Sequence, residues 1–294
     1  MKDFKSVKKL ALYSVATVMC VAGQSALAHT GIKDKVTENV AGYNALTITH
    51  GCNGNVTLGD HQDVIAMSVV FPNAADPSLA KVSQLDSKGI QVGPALPDLS
   101  DDIEGVAPGV GFTSLGLGLV ASGGTLFANI IPTLDGSGAI RGYHTWAGPT
   151  PYLSAPLQES VVSTTGLSPF KYGAIKFKAT SCAKSLKVRA AVANWCKKGP
   201  KNADADDRVD VWIGHMTKGF ADPRTMPYNE TDVAAGKFYW PTMTVNRDLT
   251  ANPLPKGCGE GFDLAIEPTD ADIDAYLPIP KAEYPQGAPV NFVH

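Results

Sequence analysis

The chain has 294 residues with 25 basic and 28 acidic side chains, a formal net charge of −3, and no concentrated basic run of the kind nucleic-acid binding needs. Only 18% of the residues are charged, beside 29 glycines and 21 prolines, which argues against coiled coils and long surface helices and for turn-rich β-structure.

The first 28 residues read as a secretory signal. Lys2, Lys5, Lys8 and Lys9 give a basic start, an apolar run extends from Leu10 to Ala22, and Ala26-Leu27-Ala28 supplies small residues for cleavage before His29. The apolar run is shorter than the ~20 residues a membrane-spanning helix needs, and no later segment reads as a transmembrane span. The expectation is one exported β-rich domain over residues 29–294, soluble or held at the outer membrane or cell surface, with no nucleic-acid partner. Without the four lysines and Asp3, 21 basic and 27 acidic residues remain, a net of −6.

In chain order, short strands alternate with Gly, Pro, Asn and Asp. Val64 to Phe71 reads as a buried strand stopped at Pro72. Leu134-Asp135-Gly136-Ser137-Gly138 reads as a turn leading into a strand through Trp146. Tyr172 to Ala179 sets Ile175, Phe177 and Ala179 against Lys176 and Lys178; Leu186, Val188, Ala190 and Val192 alternate with Lys187 and Arg189; Val209, Val211 and Ile213 follow. Short helices are expected near Pro77 to Gln84 and Asp270 to Tyr276, and the architecture as a β-sandwich with long loops, stabilised by disulfides. A Gly-rich stretch from Gly105 to Gly124 either joins two halves or packs as tight strands and turns.

Cys20 leaves with the signal, so Cys52, Cys182, Cys196 and Cys258 remain, an even number suited to two disulfides in an oxidising compartment. Three pairings are open. Cys182–Cys196 across one hairpin, with Cys52–Cys258, is preferred, and the absence of a C-x-x-C pair disfavours zinc.

The chemistry-bearing residues are histidines. A mature N-terminal His29 offers its α-amine and ring Nδ1 as a chelate, which with a second histidine such as His50 or His61 could hold copper. On the strand after the turn, Ile140, His144 and Trp146 would share one face, with Arg141 and Tyr143 on the other. His215 continues the apolar face of Val209, Val211 and Ile213 if that strand runs past Gly214. Two neutral imidazoles on apolar faces suit copper(I), which tolerates low coordination; otherwise each is a core histidine satisfied by a backbone carbonyl. Met216 is poised beside His215. Asp204, Asp206, Asp207 and Asp210, and likewise Asp270, Asp272 and Asp274, read as solvated turns because the calcium-loop pattern is absent. No Gly-x-Ser-x-Gly or phosphate loop is present.

His29-Thr30-Gly31, then Tyr43 to Gly54 with its His50-Gly51-Cys52 element, then Ser68-Val69-Val70-Phe71-Pro72, resembles the opening of YcnI-like exported copper-binding domains. That resemblance implies His29 as a copper ligand and a structural role for His-Gly-Cys. The whole mature chain resembles the copper-repressible surface-associated copper proteins of the MopE and CorA type in size, export, β-rich character and the separation of His144 and His215. Those proteins hold one copper(I) with two histidines and a kynurenine, an oxidised tryptophan two residues before the first histidine. Here that position is Gly142, and Trp146 is the nearby replacement. The resemblance implies a non-enzymatic protein of copper acquisition or sequestration, with His144, His215, Trp146 and His29 as metal-site residues. The alternatives are a copper-dependent oxidative enzyme built on a histidine brace at His29, and a structural surface protein without metal.

Overall fold

The computed structural model describes residues 30–48, 64–72, 80–106, 118–119, 129–138, 140–146, 166–196, 209–220 and 240–279. Within them lie strands β1 (Gly31–Ile32), β2 (Val36–Thr37), β3 (Gly42–Ile48), β4 (Val64–Val70), β5 (Ala80–Leu85), β6 (Gly118–Leu119) and β7 (Asn129–Leu134). They continue as β8 (Ile140–Trp146), β9 (Gly166–Tyr172), β10 (Ala183–Arg189), β11 (Ala191–Cys196), β12 (Val209–Trp212), β13 (Thr242–Asn246) and β14 (Phe262–Pro268), followed by helix α1 (Asp270–Tyr276). The protein is mainly β, with three sheets in a sandwich-like arrangement: β1-β3-β9-β6, β2-β13-β10-β14-β5 and β12-β11-β4-β8-β7.

The third sheet is covered on both faces, and its sequence shows why. In β4, Met67 and Val69 enter one core while Ala66 and Val70 enter another, so this strand reads as a continuous apolar run. The first core packs Met67, Val69 and Val192 against Leu186 and Val188 of β10, Met243 of β13 and Leu264 of β14. The second packs Ala193, Trp195, Val211 and Ile213 against Ile273 of α1 and Leu277, its C-cap. Ser68 lies within the strand yet is satisfied, because Trp195 Nε1 donates to its hydroxyl at 2.9 Å.

Several expected elements take a different form. The alternation from Leu186 to Val192 is not one strand of one sheet: β10 pairs with β13 and β14, then the chain passes Ala190 and enters the other sheet as β11, between β4 and β12. Tyr172 to Ala179 keeps Ile175 and Phe177 buried and Lys176 exposed, but β9 ends at Tyr172. The backbone there meets side chains: Phe177 N donates to Glu38 Oε2 at 2.9 Å, and the Phe177 carbonyl accepts from Asn252 Nδ2 at 3.0 Å. The helix expected up to Gln84 is strand β5, whose pairing with β14 overrides the weak helical spacing. The second expected helix, Asp270–Tyr276, is α1. Most of the Gly105–Gly124 stretch lies outside the described residues.

The disulfide pairing also differs. Cys182 is bonded to Cys258, with Cα atoms 5.3 Å apart, which excludes both preferred pairs. The hairpin premise fails because β10 and β11 do not pair with each other but enter different sheets, which leaves Cys182 and Cys196 at opposite ends of two successive strands. Cys258 lies instead in the turn before β14, and Phe262 N of that parallel strand donates to the Cys182 carbonyl.

Two predictions follow from this frame. The bond closes a loop of 76 residues, so the Cys182→Ser/Cys258→Ser variant is expected to lose about 2–4 kcal/mol of stability in urea melts. Burial pushes the Asp102 carboxyl above its usual value of 3.8, against the lowering effect of its hydrogen bond from Ser181. The folded state therefore holds this proton more tightly than the unfolded chain, and stability declines as pH rises from 3.8 through the folded value. Asp102→Asn should flatten that decline while leaving the low-pH limb unchanged in melts taken across the acid range.

Candidate metal centre

Strand β8 is held by β4 on one side and β7 on the other, and its register places His144 opposite Ser68 and Ile131. His144 is fully buried on the second-core face. Its Nε2 lies 3.0 Å from the carbonyl oxygen of Tyr276, the last residue of α1. A carbonyl only accepts, so the ring donates from Nε2. The carbonyl at a helix C-terminus has no intrahelical donor, and His144 supplies one.

The expected division of β8 faces is reversed at its start. A register shift opposite Thr133 and Leu134 inserts an extra residue, so Ile140 is half exposed and Arg141 turns inward to the layer of His144. Arg141 Nη2 donates to the Asp272 carboxylate, its guanidinium lies 5.9 Å from the Tyr276 ring centroid, and Nε stands 4.0 Å from Asp135 Oδ2. Both members of the Arg141–Asp272 pair are almost wholly withdrawn from water.

Helix α1 is seven residues long and cannot persist by propensity alone. Thr269 caps it by accepting from Asp272 N at 3.3 Å, and Asp270 and Asp272 in the first turn complement its dipole. The three aspartates expected as a solvated turn are all engaged. Asp270 accepts from Lys81 Nζ at 2.5 Å and lies 2.8 Å from His215 Nε2; Asp272 meets Arg141; Asp274 accepts from the Thr217 hydroxyl. Burial by itself would raise the Asp270 pKa, but the hydrogen bonds from Lys81 and His215 outweigh it and hold the carboxyl below its usual range.

His215 does not continue a strand, since β12 ends at Trp212 and the chain bends through Gly214. The imidazole is 28% exposed and meets the Trp240 ring edge-on, with centroids 5.6 Å apart. Gly214 makes that approach feasible: a Cβ there would lie 1.6 Å from Trp240 Nε1. Trp240 was not singled out by sequence reading, and no periodicity links it to His215.

The structure therefore carries His144 and His215 to one helix but to its opposite ends. Six residues of helical rise span about 9 Å. Strands β8 and β12 are also three spacings apart in the sheet, about 14 Å. Two nitrogens sharing one ion stand about 4 Å apart, twice a metal–nitrogen bond. The donor chemistry fits copper(I), because a metal-binding histidine ordinarily donates its other ring N–H to a carboxylate or backbone carbonyl, and both rings do so here. The spacing in this arrangement does not fit one shared ion. Among the described residues no three His, Cys, Asp or Glu side chains gather as a metal cluster. The Trp146 backbone pairs with Ala66 two residues beyond His144; its side chain, and His29, His50 and His61, lie outside the described residues. At Gly142 a Cβ would stand 2.3 Å from the Val69 carbonyl oxygen, so this backbone leaves no room for an aromatic ligand at that position. No described helix is long and apolar enough to cross a membrane.

No family model and no curated protein matches the chain. Among solved structures, it is similar to an uncharacterised protein from Nocardia farcinica with an immunoglobulin-like fold, at 11% identity and a TM-score of 0.32, covering 74% of this chain and 99% of that one. A likeness at that level transfers no function.

Arg141→Leu is expected to cost about 3–5 kcal/mol, because it leaves Asp272 as a buried unpaired carboxylate. The double variant Arg141→Leu/Asp272→Leu should recover much of that loss. Urea melts of the two proteins check the ordering, and a double variant less stable than the single one would refute the assignment.

Proposed function

We propose that this chain is an exported, non-enzymatic copper-binding protein that uses His144 and His215 as nitrogen donors for acquiring or sequestering copper(I), at the cell surface or in the periplasm. The observation that carries the reading is that two histidines distant in sequence reach the same short helix, each with Nε2 beside a carbonyl or carboxylate acceptor. With Nε2 of each ring turned to an acceptor, Nδ1 is the nitrogen through which either ring would meet a metal, and the apolar layer around His144 favours the softer, lower-charge copper(I). Because the rings contact opposite ends of α1, one ion held by both needs at least one of these helix contacts to give way. Trp146 and His29 are retained as subsidiary candidates on the resemblance alone.

The second reading, favoured by the same hydrogen bonds, is that both histidines serve only to dock α1. The two readings diverge in a simple loading experiment. On the copper reading, chain loaded with copper(I) under reducing conditions carries one ion by elemental analysis, and His144→Ala and His215→Ala each lose it. Amide exchange at Ile273 and Leu277 should also quicken on loading as α1 loosens. If the wild-type chain takes up no copper under reducing or oxidising conditions and its melting temperature is unmoved, the copper reading fails. On the docking reading, His144→Ala still lowers stability by about 2–4 kcal/mol through the cavity and the uncapped helix end.

A further inference from the structure

The water-facing side of the sheet β2-β13-β10-β14-β5 bears a concavity of about 450 Å³ that the proposed copper chemistry does not use. Four cations line it, Lys35, Lys184, Lys187 and Arg247, against one carboxylate, Asp263. A local charge of +3 thus sits on a chain whose formal net charge is −3. Charge of one sign focused in a concavity raises the local concentration of the opposite ion.

The local structure holds this charge in place. Between Ala183 and Ser185 the pairing with β14 shifts by one residue, so Lys184 is the extra residue of a bulge, a device that re-aims a side chain. Arg247 is buried and donates all five of its N–H groups to neutral oxygens: the carbonyls of Ser181, Ala183, Asn252 and Pro253 and the Asn252 side chain. It is not a contact group, and with Asp102 and Glu38 nearby its charge is partly offset, so the lysines carry most of the concavity's positive charge. Asp263 orients the rim by accepting from Lys187 Nζ at 3.0 Å and from the Ser185 hydroxyl at 2.8 Å. Among the described residues Lys35 and Lys184 have no carboxylate partner. Thr244 and Asn246, two residues apart on β13, add neutral donors to the same wall.

We propose that this concavity is an anion-binding site for a phosphomonoester, with Lys35 and Lys184 as the contact cations and Thr244 and Asn246 as neutral donors. A monoester carries close to two negative charges at neutral pH and presents three acceptor oxygens, which matches two unpaired ammonium groups in a positive field better than a single carboxylate does. The volume exceeds that of phosphate itself and leaves room for an esterified group. The monoester comes either from a small soluble molecule or from a lipid headgroup.

The test is a titration of the 15N-labelled mature chain with glycerol phosphate and with inorganic phosphate, following amide shifts. Saturable shifts at Lys184, Thr244 and Asn246 are expected. Lys35→Gln and Lys184→Gln should each weaken binding about threefold or more, whereas Asp263→Asn should tighten it. Lys33→Gln, a lysine outside the concavity already paired with Asp34, should leave binding unchanged. Shifts that do not saturate, or that fall equally in Lys33→Gln, overturn the site. Sedimentation with phosphatidylcholine vesicles containing phosphatidic acid assigns the lipid source if the chain pellets with them, and the soluble source if it binds glycerol phosphate alone. Equal binding to vesicles bearing a phosphodiester lipid of matched charge overturns the monoester class.

Discussion

The buried ion pair between Arg141 and Asp272 is the contact on which the arrangement of the candidate centre depends. It joins the β8 bulge to the first turn of a helix too short to stand alone, and neither charge has bulk water to fall back on. With α1 fixed there, Ile273 and Leu277 close the second core, Tyr276 presents its carbonyl to His144, and Asp270 and Asp274 reach His215 and Thr217. A buried pair of this kind adds little net stability, since apolar residues of similar volume often replace it without loss, whereas removing one partner alone is costly.

The same geometry gives the histidines two roles that compete. Each ring nitrogen that binds α1 stabilises the fold, and each also lies where a metal-binding imidazole would have its orienting acceptor. The arrangement described is a closed one in which the rings are separated by the helix. A copper ion shared between them would draw on the difference between two packings of α1, so affinity would reflect how firmly Lys81, Arg141 and Thr217 hold that helix.

The two faces of the molecule are chemically unlike. The α1 side pairs its charges, buried at Arg141–Asp272 and exposed at Lys81–Asp270, and bears two imidazoles, whereas the outer face of the β2-β13-β10-β14-β5 sheet leaves lysine ammonium groups unneutralised around a concavity. The proposed metal and anion sites draw on different residues, so each can be tested without disturbing the other.

Much of the strand pattern was legible because it is a local property. Val64 to Phe71 reads as a buried strand from its mostly apolar run, the Leu134–Gly138 turn leads into β8, and a short helix is expected over Asp270 to Tyr276, where α1 lies. Residues 175–177 and 186–190 kept their predicted alternation of buried and more exposed side chains, whereas Ala179 is exposed and Ala190, Ala191 and Val192 are buried in succession; the predicted pairing did not hold, since alternation records burial and carries no information about which backbone lies alongside. What one bulged residue did to β8, sending Arg141 inward and Ile140 out, was invisible for the same reason. The sequence by itself determined the β-rich class, the turn positions, the buried setting of His144 and the excess of acidic residues over basic. Only the tertiary structure decided that Cys182 bonds Cys258, that Trp240 borders His215, that the two histidines stand at opposite ends of one helix, and that four cations share a concavity. Each of those joins residues far apart in the chain, and long-range proximity is fixed by how sheets stack and strands cross between them, not by the local periodicity a sequence displays.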